Sequence, residues 1–98
     1  MKITRPYVVA VLDFNGGIFD HVNQGYHYKQ YKIIIGNHDI KKKEVVRKCL
    51  DFLLKHHKIE YNEFALKADA VCFLISKKES MERFADFINK YSEIRNSW

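Results

Sequence analysis

Two hydrophobic periods lie side by side in the middle of this chain, and together they leave few folds open. Between Ile40 and His57 the apolar residues Val45, Val46, Cys49, Leu50, Leu53 and Leu54 recur at spacings of three and four, the stripe of a helix with one buried face. Just before it, over Tyr26–Ile35, the period drops to two. Tyr31, Ile33 and Ile35 fall on one side of an extended strand, and Tyr28, Gln30 and Lys32 on the other. The first set reads as inward and the second as wet, which predicts a sheet covered by helices on one face only.

Turn and cap residues mark out the other elements. Ile18–Asn23 and Tyr26–Ile35 are joined at Gln24-Gly25 and read as a hairpin. Asn37-His38-Asp39 can cap the middle helix. Lys58–Ala65 and Ala68–Ser76 read as a second hairpin, with Ala70–Ile75 the better-defined strand. Ser76 can then cap a last helix over Lys78–Tyr91, whose inner stripe is Met81, Phe84, Ile88 and Tyr91. The first element is ambiguous. Pro6, flanked by Thr4 and Arg5, suits a helix start, whereas Tyr7–Leu12 reads equally well as a buried strand. Asn15-Gly16-Gly17 stops it in either case. The order is helix or strand, then ββαββα, an α+β class.

With 98 residues, 47% of them apolar, and no linker, repeat or low-complexity tract, residues 1–98 read as a single domain. A chain of this size buries only about 60–65% of its unfolded surface, so its core is thin and a partner subunit would complete it. The longest apolar run, Tyr7–Leu12, is far below the roughly 18 residues of a membrane span. The start of the chain has no apolar leader, which predicts no membrane partner and an intracellular, cytoplasmic location. Cys49 and Cys72 lack CxxC spacing and fit a reducing setting. The five histidines and two cysteines form no zinc spacing, and no GK[ST] follows the glycine pair to make a phosphate loop.

Charge points to a partner class. The net charge is +5, and residues 38–58, with seven basic and three acidic side chains, supply +4 of it. A localised basic block on a small domain suits a polyanion, most often nucleic acid. Lys41, Lys42 and Lys43 open the middle helix, where the macrodipole disfavours cations, and this suggests an anion bound nearby.

Residues 8–16, Val-Val-Ala-Val-Leu-Asp-Phe-Asn-Gly, resemble the nine-residue signature of the LAGLIDADG homing endonuclease family, with the apolar residues, Ala10, Asp13 and Gly16 in register. The family's αββαββα order fits from Pro6 to about Tyr91. The stretch 31–39 looks like its second strand entering the middle helix, and 73–77 like its last strand. The resemblance implies a helical first element and a four-stranded antiparallel sheet with helices packed on one face. Another small α+β sandwich is the alternative. It also implies a homodimer through the signature helix, with Val8, Ala10, Val11 and Leu12 near the contact. The sheet would then form a saddle on nucleic acid, with His21, Asn23, Tyr28, Gln30 and Lys32 facing the grooves.

One departure bears on the chemistry. Family members cut DNA with an acid just before the final glycine of the signature, using divalent metal, and here that position is Asn15. The resemblance therefore implies no catalytic residue, no resident metal and no cofactor. Asn37, Lys41, Lys42, Lys43, Lys77 and Lys78 are expected to grip phosphate without cutting it. The expected function is non-cleaving nucleic-acid binding, to RNA or DNA, maturase- or regulator-like, with a lean to RNA. One alternative is an RNA-dependent inhibitor of another protein, of phage or mobile-element origin and placed in the host cytoplasm. Another is an active homodimeric endonuclease using Mg²⁺.

Overall fold

The computed structural model describes residues 3–92, in the order α1 (Arg5–Asn15), β1 (Gly17–Asn23), β2 (Tyr26–Gly36), α2 (Ile40–His57), β3 (Asn62–Leu66), β4 (Ala70–Ile75) and α3 (Lys78–Tyr91). The first element is a helix. Thr4 caps it by accepting from the Tyr7 N–H, and Pro6 sits in its first turn, where a missing N–H costs nothing. The four strands form one antiparallel sheet in the order β1-β2-β4-β3. At the β1–β2 turn Gln24 and Gly25 both have positive φ (51° and 86°), the backbone that a tight two-residue hairpin requires.

Strand register divides the sheet into two faces. Tyr31, Ile33 and Ile35 of β2 and Val71, Phe73 and Ile75 of β4 are buried against the helices, as the alternation predicts. Val8, Val9 and Leu12 of α1, Val46, Cys49, Leu50 and Leu53 of α2, and Met81, Phe84, Phe87 and Ile88 of α3 complete the same core. Burial drives this packing at about 25 cal/mol per Å² of apolar surface removed from water. Leu54 is exposed rather than core, because the buried edge of α2 follows Val46, Cys49, Leu50 and Leu53 and leaves Leu54 just beyond it.

Strand ends shift by one residue in places, and two differences from the sequence expectation have a distinct cause. The strand expected from Lys58 begins only at Asn62. Lys58 adopts the left-handed conformation (φ 56°), the Ile59 N–H donates back to Leu53 O at 3.2 Å, and Ile59 is buried, so these residues close α2 instead of extending. At α3 the capping position is Lys77, not Ser76, and it makes no side-chain cap bond.

Helix α1 is held at both ends. At its C-terminus the Leu12 carbonyl accepts from the Gly16 N–H (3.2 Å) and from the buried Tyr31 hydroxyl. The Tyr31 ring packs at 4.6 Å on Phe84, and burial, with Asp13 next, pushes its ionisation well above the ordinary tyrosine range. A Cβ on Gly16 would collide with the Tyr31 ring and Ile33, so this glycine is required by close approach. At the N-terminus the Arg5 guanidinium lies between the rings of Phe52 (5.6 Å) and Tyr91 (5.5 Å), and its Nε donates to His57 Nε2 at 3.2 Å. Burial first, then Arg5, His56 and Lys90, lowers the His57 pKa.

Gly16→Ala is expected to lower stability by about 1–3 kcal/mol through overpacking, and Tyr31→Phe by about 1–2 kcal/mol through the lost bond to Leu12, both read by chemical denaturation. Because folded His57 binds a proton less readily than unfolded histidine, its stabilising contribution is full above the ordinary value of 6.5 and is lost as pH falls below it. Melting temperature should drop on that acid side, and His57→Gln should flatten this part of the profile.

Candidate nucleic-acid interface

Helices pack on one face of the sheet, over β2 and β4, while Ile18 and Val22 on the same side of β1 stay exposed, and no helix packs on the other, open face. By register the open face carries Phe19 and His21 from β1, then Tyr26, Tyr28, Gln30, Lys32 and Ile34 from β2. Beyond them lie Cys72 and Leu74 from β4, and Asn62 and Phe64 from β3. The strands contain two carboxylates, Asp20 and Glu63, and both fall on the helix side, where Asp20 is paired in register with Lys29 and Glu63 with Phe73. Glu63 is gripped there by Arg47 of α2, with two bonds of 2.9 Å, and that pairing holds its carboxyl below the usual range. The open face therefore has no anionic strand residue.

Lys32 is its electrostatic centre. Its ammonium lies 3.2 Å from His21 Nε2 and 5.8 Å from the Phe19 ring centre, while His21 stacks on Tyr28 with ring centres 5.5 Å apart. His21, Tyr28, Gln30 and Lys32, expected together from the sequence, are together here. Asn23 pairs with Tyr26 in the register, and its side chain lies outside the described residues.

Where α1 meets the sheet there is a pocket of about 510 Å³ lined by Asn15, Gly16, Gly17, Phe19, Lys32 and Ile34. Asn15 Nδ2 donates to Val11 O at 2.8 Å, securing the last turn of the helix. With an ammonium, an amide and no carboxylate, this lining suits an anion and does not fit a divalent cation. Among the described residues, no group of three or more His, Cys, Asp or Glu side chains converges as a metal site.

The other expected phosphate contacts do not join this cluster. Asn37 makes a clasp between the β2–α2 and β3–β4 turns: its N–H donates to Asp69 O (3.0 Å), its Nδ2 to Asp69 Oδ1 (2.9 Å), and its Oδ1 accepts from Lys43 Nζ (3.4 Å). Lys41 and Lys42 are exposed at the start of α2, beside the Gly36 end of the sheet. Lys77 and Lys78 follow the other end of β4; Lys77 pairs with Glu60 at 2.8 Å, and Lys78 borders a groove on the helix side. Sequence reasoning missed Phe19, Ile34 and Phe64 on the open face. For Phe19 and Ile34 the period-two signal was present, since they share the parity of His21 and Lys32. Phe64 had none, because the start of β3 depends on how α2 is closed.

On α1, Val8 and Leu12 are wholly buried in the chain's own core. Of the residues expected at a subunit contact, Ala10 and Val11 reach the surface, in a stripe completed by Tyr7 and by Phe14, which is 90% exposed. Among the described residues, no helix is long and apolar enough to cross a membrane. No family model, curated protein or solved structure matches this chain.

Asn15→Asp is expected to cost about 1–2 kcal/mol in a denaturation experiment. It removes the donor to Val11 O and places a negative charge at the negative end of α1.

Proposed function

We propose that this chain is a LAGLIDADG-type domain that binds nucleic acid on the open face of its sheet, does not cleave it, and works as a homodimer joined through α1. The observation that carries the reading is the sorting of charge across the sheet. Both strand carboxylates lie on the helix side, and Lys32 sits in the middle of the open face. An open sheet face free of anions and centred on an ammonium attracts phosphate by plain Coulomb attraction. Lys41 and Lys42 at the margin extend the positive field, whereas Lys77 is paired with Glu60 and Lys78 borders a groove beside α3.

The non-cleaving part of the reading rests on the pocket at the end of α1. A metal-dependent nuclease needs carboxylates there to hold the ion that activates water. Asn15 supplies an amide that is already bonded to its own helix, and Lys32 supplies a positive charge. These groups hold and orient a phosphate, and no step of hydrolysis is assigned to them.

The dimer is supported by a stripe on α1 in which Ala10 and Phe14 are exposed and Tyr7 and Val11 half-buried. Ala10 lets two helix backbones approach, and Phe14 leaves its ring almost wholly in water in the absence of a partner.

A mobility-shift titration across salt, with and without Mg²⁺, tests the reading. Binding should weaken linearly in log salt with no strand cut, and Lys32→Gln should reduce the slope by about one. Cut product in Mg²⁺ would overturn the non-cleaving reading, and no binding to RNA or DNA would overturn the whole. Phe14→Glu should shift the chain from dimer to monomer in sedimentation, with its melting cooperativity intact.

A further inference from the structure

The open face is more aromatic than phosphate binding requires. Phe19 is 52% exposed, Tyr28 39% and Phe64 43%, all on the side of the sheet that no helix covers. Exposed apolar patches of this kind mark a surface that something covers. We infer that its occupant is a single-stranded stretch of RNA whose unpaired bases stack on Phe19, Tyr28 and Phe64 while Lys32 takes a backbone phosphate. This rests on the nucleic-acid reading above and deepens it by naming the substrate class of the same face.

The first argument is the ratio of charge to ring surface. Duplex nucleic acid presents one phosphate per roughly 1.7 Å of axis and hides the faces of its bases, so it calls for rows of cations and gives nothing for rings to stack on. Among the outward strand residues of this sheet Lys32 is the one lysine or arginine, against aromatic side chains on β1, β2 and β3. That surface suits exposed bases joined by few phosphates, the combination used by single-strand binders.

The second argument is arrangement. Tyr28 is already stacked with His21, at an interplanar angle of 15°, and the Lys32 ammonium lies against the Phe19 ring, so ring and charge are presented as units. Phe19 lies opposite Gln30, so Tyr28, two residues along β2, is its diagonal neighbour at about 7–8 Å and the two can take successive splayed bases, while Phe64, on the opposite edge strand, can take a base farther along the chain. The Tyr28 hydroxyl and the amide of Gln30, opposite Phe19 in the register, supply hydrogen-bonding groups beside the platforms for a ribose 2′-hydroxyl.

A second copy of the sheet is the competing occupant. Stacked face to face about a two-fold axis, two copies would bring Lys32 toward its symmetry mate with no open-face strand carboxylate to neutralise either. Charge complementarity therefore favours a polyanion.

The test is fluorescence anisotropy on the full chain with four probes: an unstructured RNA of roughly ten nucleotides, the same RNA annealed to its complement, the same RNA with abasic positions, and single-stranded DNA of the same sequence. The intact single strand should bind at least about tenfold tighter than the duplex or the abasic RNA, and the DNA should bind more weakly than the RNA. Phe19→Ala and Phe64→Ala should each weaken RNA binding by roughly 5- to 100-fold with the salt slope unchanged, whereas Lys32→Gln lowers the slope. Phe19→Leu, which keeps apolar bulk and removes the ring, should behave like Phe19→Ala, and an unchanged melting temperature separates this loss from misfolding. Duplex binding as tight as single-strand binding, or indifference to abasic positions, overturns stacking while leaving nucleic-acid binding intact. DNA equal to RNA overturns the RNA assignment, and a Phe19 variant that changes oligomeric state instead of affinity assigns the face to a second copy. No binding to any probe removes the parent reading itself.

Discussion

The joint between the end of α1 and the middle of β2 is the contact on which the rest of the architecture depends. One carbonyl, that of Leu12, receives both the Gly16 N–H and the Tyr31 hydroxyl, and the Tyr31 ring continues into Phe84 of α3. A single tyrosine thus ties the first helix, the second strand and the last helix. A buried hydroxyl is tolerable only because it finds that carbonyl, and the approach is possible only because residue 16 has no side chain. The glycine that ends the first element is therefore a packing requirement as well as a stop signal.

The open face depends on a second local constraint, the two-residue turn at Gln24-Gly25, which fixes the register of β1 against β2, and register decides which residues share a face. A shift of one residue would bring Asp20 to the open face and move Phe19 and His21 to the opposite side of the sheet. The carboxylate-free surface around Lys32 is thus a consequence of the turn geometry at Gln24 and Gly25. Arg47 has a parallel role at the far edge, where it holds Glu63 on the helix side with paired bonds.

Element types and most boundaries could be read from local pattern. α2 was marked by its three-and-four stripe and its Asp39 cap, and the β1–β2 hairpin by Gln24-Gly25. The inward side of β2 was marked by strict alternation. Tyr7–Leu12 looks alike as strand or helix because a short apolar run has no period of its own, and the family resemblance, not the pattern, pointed to the helix that is found. The misreadings have definite causes. The β3 boundary slipped because a buried Ile59 and a left-handed Lys58 close α2, a tertiary outcome that local propensity does not encode. Val8 and Leu12 were expected at a subunit contact, yet they fill the chain's own core, since the orientation of α1 is decided by what it packs on.

For the candidate site the division is similar. His21, Tyr28, Gln30 and Lys32 share a face by parity alone, so the sequence by itself determined the wet side of the hairpin, together with the amide at position 15. Only the tertiary structure decided that Asn37 is a structural clasp and that Lys77 and Lys78 lie at the other end of β4 from Lys41 and Lys42. It alone brought Phe64, from the edge strand opposite β1, onto the surface that carries Phe19 and Lys32. Parity is a property of one strand and survives in its residues. Which strands lie side by side, and where a loop lysine finds its acid, depends on contacts between distant segments that no local pattern records.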